Sequence, residues 1–162
     1  MITILKKIIN VLTTLIIIVG VLFLCLYLFG ITPFVVLSGS MEPTIKTGSL
    51  CFINKHSKYE NIKENDIIAF KLKDDTLVTH RVLEINEKGI VTKGDNNNDS
   101  DDIITTKSNY VGKNIFWIAK IGYFVMAFQS TKGKIILITC VILLFAAGLL
   151  FGENKKKSKE LK

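Results

Sequence analysis

The chain has 162 residues, of which 49% are hydrophobic, and its formal net charge is +7. That charge is uneven, because residues 32–133 carry 13 basic and 12 acidic side chains and the excess lies at the two ends. A nucleic-acid-binding protein would concentrate basic residues on its folded domain, so this class is excluded. Two of the three cysteines, Cys25 and Cys140, lie in apolar runs. This excludes a disulfide framework and a cysteine metal site, and the sequence predicts no cofactor.

The first predicted element is a helix in the uncharged run of 22 residues from Ile8 to Phe29. At about 1.5 Å per residue the run is roughly 33 Å long, which is enough to cross a bilayer core. A cleaved signal peptide is the alternative, since Lys6 and Lys7 would form its basic leader. The run is longer than a usual signal-peptide core and no small-x-small cleavage site follows it. An uncleaved transmembrane helix over residues 8–30 is therefore favoured.

Short runs of β-branched or aromatic residues follow, separated by turns rich in Asp, Asn and Gly, and this pattern is typical of strands. The runs are 49–55, 66–72, 76–85, 89–94 and 109–118. They predict a mostly β fold, a small antiparallel sheet between residues 31 and 134. The aromatic stretch 115–128 is ambiguous between a core strand with a helix and a segment at the membrane interface, and the interface is favoured.

A second uncharged run covers residues 135–151, which is near the lower length limit for a transmembrane helix. A buried core helix is the alternative, but the lysine-rich residues 152–162 favour a membrane stop. The basic flanks predict that residues 1–7 and 152–162 are cytoplasmic and that residues 31–134 are outside. Lys132 and Lys134, on the outer flank of the second run, oppose this orientation.

The stretch "SGSMEPT" places Ser38 and Ser40 a short distance after the first predicted span. A serine hydroxyl becomes a good nucleophile only when a neighbouring base takes its proton. The chain has two histidines that could do so. His80 lies on the apolar face of a predicted strand, where a histidine is more often a core residue than a catalyst. His56 lies in a polar turn and is expected to be solvated.

An acidic side chain could orient such an imidazole and stabilise its cation. The candidates lie in "KGDNNNDSDD" and are Asp95, Asp99, Asp101 and Asp102. Segments rich in Gly, Asp and Asn are ordinarily surface turns. Composition alone therefore does not distinguish one acid from the others.

Together and in this order, "SGSMEPT" after a membrane anchor, "THRV" and "KGDNNNDSDD" resemble type I signal peptidases. The likeness is greatest to the endoplasmic-reticulum-like branch of eukaryotes, archaea and some Gram-positive bacteria, and it covers roughly residues 10–125. It implies a membrane-bound serine endopeptidase that removes N-terminal signal peptides from exported preproteins. The partners it implies are signal peptides and the lipid bilayer, with the export machinery as a further candidate and no nucleic acid.

The resemblance also implies roles for individual residues. Ser40 matches the nucleophile, and Ser38 matches a serine that helps the Ser40 N–H bind the oxyanion. His80 stands where this branch has its histidine base and the main bacterial branch has lysine. Asp95 and Asp101 match two aspartates of the branch. Asp101 is expected to support His80, with Asp102 as the alternative because the loop could shift the register by one.

Two further expectations concern the scaffold and its location. "NDIIAF" resembles the family's "GDIVVF" strand, with Asn65 in place of the usual glycine at a turn. The chain is expected to be an integral protein of the plasma membrane or the endoplasmic reticulum membrane, with its site on the extracytoplasmic or lumenal side. A non-catalytic, membrane-tethered binding module on the same β scaffold is the alternative function. It is disfavoured by the combination of Ser38, Ser40, His80 and Asp101.

Overall fold

The computed structural model describes residues 2–160, and the side chains of residue 4 and residues 6–146. The helices are α1 (Ile2–Leu28), α2 (Ile121–Gln129) and α3 (Thr131–Glu160), with one 3-10 turn at Tyr59–Asn61. The strands are β1 (Ile31–Val35), β2 (Leu50–Asn54), β3 (Ile67–Lys71), β4 (Leu77–Asn86), β5 (Gly89–Lys93) and β6 (Tyr110–Ile118).

The predicted antiparallel sheet is confirmed, and its six strands run in the order β1-β2-β6-β3-β4-β5. Five strands lie where the sequence pattern predicted them, within one or two residues at each end. The sixth, β1, was not predicted. It is an edge strand that pairs with β2, with Pro33 opposite Phe52. Proline lacks a backbone N–H, so it is tolerated at an edge strand and weakens the strand signal in the sequence.

The sheet is covered by apolar side chains on both faces, and β3 shows this most clearly. Ile67 and Ala69 belong to one buried cluster with Met41 and Ile45, whereas Ile68 and Phe70 belong to a second. Neighbouring residues of a strand point to opposite faces. The unbroken run "IIAF" is therefore a strand that is buried on both sides.

The turn at Asn65, which precedes β3, requires a left-handed backbone, with φ of 69°. Glycine adopts this conformation most easily, and asparagine tolerates it better than most residues. The replacement of the usual glycine by Asn65 is thus compatible with the turn. A second left-handed residue, Gly30 with φ of 72°, joins α1 to β1. A side-chain carbon there would lie 2.6 Å from the ring of His56, so only glycine fits.

Helix α1 contains a stretch, Lys6–Leu28, whose length and mean hydropathy of 2.8 are sufficient to cross a membrane. None of its most apolar window is buried inside the protein, whereas a core helix would be mostly buried. In the described part of the chain, no other single helix passes this test. Ile121–Gln129 and Thr131–Ala146 pass only when they are counted together as one broken span.

The predicted second span, residues 135–151, lies within α3. Its last residues, 147–151, and the basic residues 152–162 fall outside the part of the chain whose side chains are described. The backbone of α3 is helical through this region up to Glu160. A separate C-terminal transmembrane helix therefore stays a prediction.

The ambiguous stretch 115–128 contains the end of β6 and most of α2. Apart from the half-buried Val125, its large apolar side chains are exposed, from 39% for Trp117 to 66% for Phe124. The strand and helix of the first alternative are present, but they do not form a buried core.

Candidate active site

The first part of the site is a turn between β1 and β2, residues 38–48, which we call the serine turn. Met41 and Ile45 are buried, and the Ile45 N–H donates to the Met41 carbonyl at 2.8 Å. The carboxylate of Glu42 accepts hydrogen bonds from the N–H and the hydroxyl of Thr47, both at 3.2 Å. The apolar anchors hold the turn against the core while Ser40 stays partly accessible.

The second part is His80 on β4, which is 7% exposed. Its Nε2 lies 3.0 Å from Ser40 Oγ, and its Nδ1 lies 2.7 Å from Asp101 Oδ2. A carboxylate only accepts hydrogen bonds, so the proton of a neutral imidazole belongs on Nδ1. Nε2 is then an acceptor that faces the Ser40 hydroxyl.

The third part is a segment without regular secondary structure, residues 94–104, which we call the acid loop. It supplies Asp101, whose N–H donates to the carbonyl of Thr92 on β5 at 2.8 Å. The Thr92 hydroxyl donates to Asp101 Oδ2 at 2.6 Å, the same oxygen that His80 contacts. Asp102, the alternative support for His80, is exposed and lies outside this chain of hydrogen bonds.

Asp95 lies at the start of the acid loop and pairs with Arg81 instead of His80. Its two carboxylate oxygens accept from Arg81 Nε at 2.8 Å and Nη2 at 2.7 Å. The Arg81 guanidinium lowers the pKa of Asp95, and Asp95 in turn raises the pKa of Arg81. Since Arg81 follows His80 on β4, this ion pair joins the acid loop to the strand that carries the imidazole.

The acid loop also contacts the backbone of the serine turn. The Asn96 N–H donates to the Ser40 carbonyl at 2.8 Å. A side-chain carbon at Gly94 would lie 2.6 Å from the same carbonyl oxygen, so this close approach needs glycine. The exposed Ser38 has its Oγ 3.3 Å from Ser40 Oγ.

A groove of about 390 Å³ runs past Ser40 and His80. Its walls are residues 34–38, from the end of β1 and the following loop, and residues 76–80, which are Thr76 and the first half of β4. β5 pairs with β4 only from Arg81 to Asn86. Within the described chain, the first half of β4 therefore has an unpaired backbone edge on the side away from β3.

Cys51 also lines this groove. Cys51 is fully buried, and burial raises the pKa of its thiol to about 11. The thiol is therefore neutral at physiological pH and is a poor nucleophile. In the part of the chain that the structure describes, no group of three His, Cys, Asp or Glu side chains could hold a metal ion.

Sequence reasoning missed Thr92 and Arg81. Arg81 stands in the motif "THRV" and Thr92 in a predicted strand, but their partners, Asp95 and Asp101, lie 14 and 9 residues further along the chain. The one local signal was a polar residue, Thr92, inside the buried strand "GIVTK", where Thr92 is fully buried.

Residues 7–101 match the protein family described as signal peptidase, peptidase S26. The matched range contains Ser38, Ser40, His80, Asp95 and Asp101.

Three relatives illustrate the range of similarity. Signal peptidase I W of Bacillus subtilis is 39% identical over 85 residues, which are 50% of this chain and 45% of that protein. The signal peptidase complex catalytic subunit SEC11 of Zygosaccharomyces rouxii is 31% identical over 123 residues, 61% of this chain and 72% of that protein. The corresponding human subunit, SEC11C, is 41% identical over 69 residues, 39% of this chain and 35% of that protein.

Proposed function

The chain belongs to the signal peptidase family, peptidase S26, and from that premise we propose that it is a membrane-bound serine endopeptidase that cleaves signal peptides from exported preproteins. It spans less than half the length of signal peptidase I W, so its activity does not follow from likeness alone. One observation carries the proposal. The buried imidazole of His80 contacts Ser40 Oγ and Asp101 Oδ2 at the same time.

In the proposed reaction Ser40 is the nucleophile and His80 is the base. As Ser40 Oγ forms a bond to the carbonyl carbon of the substrate, its proton passes to His80 Nε2. Asp101 holds the imidazole through Nδ1–H and stabilises the cation. His80 then gives the proton to the leaving amine, the peptide bond breaks, and water hydrolyses the acyl-enzyme by the same steps.

Ser38 and the backbone N–H of Ser40 are the proposed donors to the oxyanion. The carbonyl oxygen of a substrate attached to Ser40 Oγ lies close to that atom, and Ser38 Oγ is 3.3 Å from it. A donor at this distance can reach the negative charge that develops in the transition state. Ser38 is exposed in the free protein, so a bound substrate would cover it.

The groove is the proposed site for an extended substrate. The unpaired edge of β4, from Leu77 to His80, offers backbone donors and acceptors to a peptide that adds as a strand. Such a peptide directs alternate side chains into the groove. We expect small residues at the first and third positions before the cut, as the resemblance to signal peptidases suggests.

The membrane part of the proposal uses α1 as an anchor over residues 8–30. Ser40 comes 11 residues after Phe29, so the hydroxyl lies no more than about 36 Å from the end of the span. A signal peptide held in the bilayer has its cleavage site just outside the membrane. Because α1 keeps Ser40 near the membrane, the nucleophile can reach the cleavage site where the substrate leaves the bilayer.

We extend the proposal to a second span at residues 135–151, with both termini cytoplasmic and residues 31–134 outside. The exposed aromatic side chains of residues 115–128 would then lie at the membrane interface. Labelling from outside with an impermeant thiol reagent should modify Lys73→Cys, which replaces an exposed residue, but not Ser158→Cys. Modification of Ser158→Cys would contradict this orientation.

The proposed activity is tested by cleavage of preproteins in detergent. Wild-type protein should release a signal peptide, and mass spectrometry should find one new N-terminus after a small residue. Ser40→Ala should abolish this cleavage, because it removes the nucleophile. His56→Ala should not, because His56 lies in a solvated turn. Equal cleavage by wild type and Ser40→Ala would contradict the proposal.

A further inference from the structure

Regular secondary structure restrains the position of His80 but not that of Asp101. His80 lies on a strand that pairs with β3, where Ile68 is opposite it, and whose pairing with β5 begins at the next residue, Arg81. Asp101 comes from the acid loop, in which residues 96–100 are all exposed. A loop carboxylate is free to rotate unless other groups hold it.

Thr92 holds Asp101 at two points. Its carbonyl accepts the Asp101 N–H at 2.8 Å, and its hydroxyl donates to Asp101 Oδ2 at 2.6 Å. Thr92 itself is fully buried on β5, where it is paired directly with Val82 on β4. Val82 is two residues from His80 and therefore on the same face of β4.

Both donors to the carboxylate meet at one oxygen. His80 Nδ1 and Thr92 Oγ1 approach Asp101 Oδ2, so the hydroxyl sets which oxygen faces the imidazole. Without the hydroxyl, the carboxylate could turn and the imidazole would lose its fixed orientation toward Ser40. The backbone bond to Thr92 would remain, but it restrains the main chain only.

We infer that Thr92 is a positioning residue of this site, which acts on His80 through the carboxylate of Asp101. The inference rests on the proposed function. Thr92 moves no proton in the reaction, because its hydroxyl stays a donor to Asp101 while the Ser40 proton passes to His80. Thr92 orients the base, so removal of its hydroxyl should lower kcat and leave KM unchanged.

The test compares three variants of the full chain in detergent. Thr92→Val keeps the shape and removes the hydroxyl, and it should lower kcat by about 10- to 100-fold, the scale of a small misplacement in an active site. Thr92→Ser keeps the hydroxyl and should stay within about threefold of wild type. Thr105→Val is the matched control, because Thr105 is equally buried and its hydroxyl makes no hydrogen bond.

A second measurement does not depend on activity. A histidine Nδ1 proton bonded to a carboxylate gives a proton NMR signal far downfield of the amide region. This signal should be present in wild type, Thr92→Ser and Thr105→Val, and absent or broadened in Thr92→Val. If wild type shows the signal but cleaves no preprotein, the proposed function fails while the positioning contact stands.

Two results would overturn the inference. One is a Thr92→Val protein with wild-type kcat and an unchanged downfield signal. The other is an equal loss of kcat in Thr92→Val and Thr92→Ser, which would indicate a packing role. If Thr92→Val does not give a cooperative thermal melt, Thr92→Ala replaces it against Thr92→Ser, with the same order of kcat and of NMR signal expected.

Discussion

The serine turn and the acid loop both deliver a residue to His80, but they are held in different ways. Met41 and Ile45 anchor the serine turn in the core, with exposures of 1% and 0%. The acid loop is held by separate polar contacts, the Asp95–Arg81 ion pair and the two bonds between Asp101 and Thr92. Apolar burial contributes mostly to stability, whereas directional hydrogen bonds fix orientation. Loss of a buried anchor in the serine turn should therefore act mainly on stability, and loss of the Asp101 carboxylate in the acid loop mainly on turnover.

The largest expected effect is a loss of turnover when Asp101 is replaced. Asp101→Asn removes the carboxylate that stabilises the His80 cation and favours the wrong imidazole tautomer, so kcat should fall by about 10⁴-fold. The melting temperature should change little, because asparagine has nearly the same size and the Asp101 N–H still donates to the Thr92 carbonyl. Steady-state kinetics and a thermal melt measure the two effects on the same preparation.

The matched control for this prediction is Asp102→Asn. Asp102 is the next residue in the same loop and is exposed, so its replacement should leave kcat unchanged. A large loss in Asp102→Asn with little loss in Asp101→Asn would show that the loop presents the other acid to His80.

The next effect is on stability, in the serine turn. Met41→Ala removes most of a fully buried side chain and should lower the free energy of unfolding by about 2–5 kcal/mol. Met126→Ala is the matched control, because Met126 is 41% exposed, and it should change that free energy by less than about 0.5 kcal/mol. Chemical denaturation in detergent measures both. Equal destabilisation by the two variants would show that burial is not what holds the serine turn.

The smallest effect concerns the ion pair of the acid loop. Asp95→Asn should lower the free energy of unfolding by about 1–3 kcal/mol at neutral pH, between the values for exposed and buried ion pairs. Arg81 lowers the pKa of Asp95, so this contribution is complete above the pKa of an unfolded aspartate, about 3.9. It is lost as the pH falls through the lowered pKa of the folded state.

The gap between wild type and Asp95→Asn in thermal melts should accordingly close as the pH is lowered below about 4. The exposed Asp99, in the same loop, provides the control variant Asp99→Asn, which should change stability by less than about 0.5 kcal/mol. A gap of constant size from pH 7 down to pH 2 would mean that the Asp95 charge is not the source of its contribution.

Local patterns in the sequence were sufficient to predict most of the sheet. Alternation and turn residues marked five strands, and family membership is confirmed by the comparisons. β1 was missed because Pro33 interrupts a run that continues directly from the first predicted span. The stretch 115–128 could not be assigned because apolar residues look alike whether they face a core, a membrane or solvent.

Sequence motifs likewise predicted some residues of the site and not others. Ser40, His80 and Asp101 were expected from motifs, and the structure brings their side chains into one chain of hydrogen bonds. Their catalytic roles stay predictions. Thr92 and the Arg81–Asp95 pair depend on the register of β4 with β5 and on the path of the acid loop, and neither follows from spacing. The same holds for the choice between Asp101 and Asp102.

The central claim, that His80 activates Ser40, is tested most directly by the pH dependence of acylation. Wild-type protein is treated with a serine-directed acylating probe between pH 5 and pH 8, and mass spectrometry locates and counts the adduct. The account predicts one adduct on Ser40, whose rate of formation falls at acidic pH, because a protonated imidazole cannot accept the Ser40 proton. It also predicts no adduct in His80→Ala. An adduct on another residue, or a Ser40 rate at pH 5 equal to that at pH 8, would contradict the account.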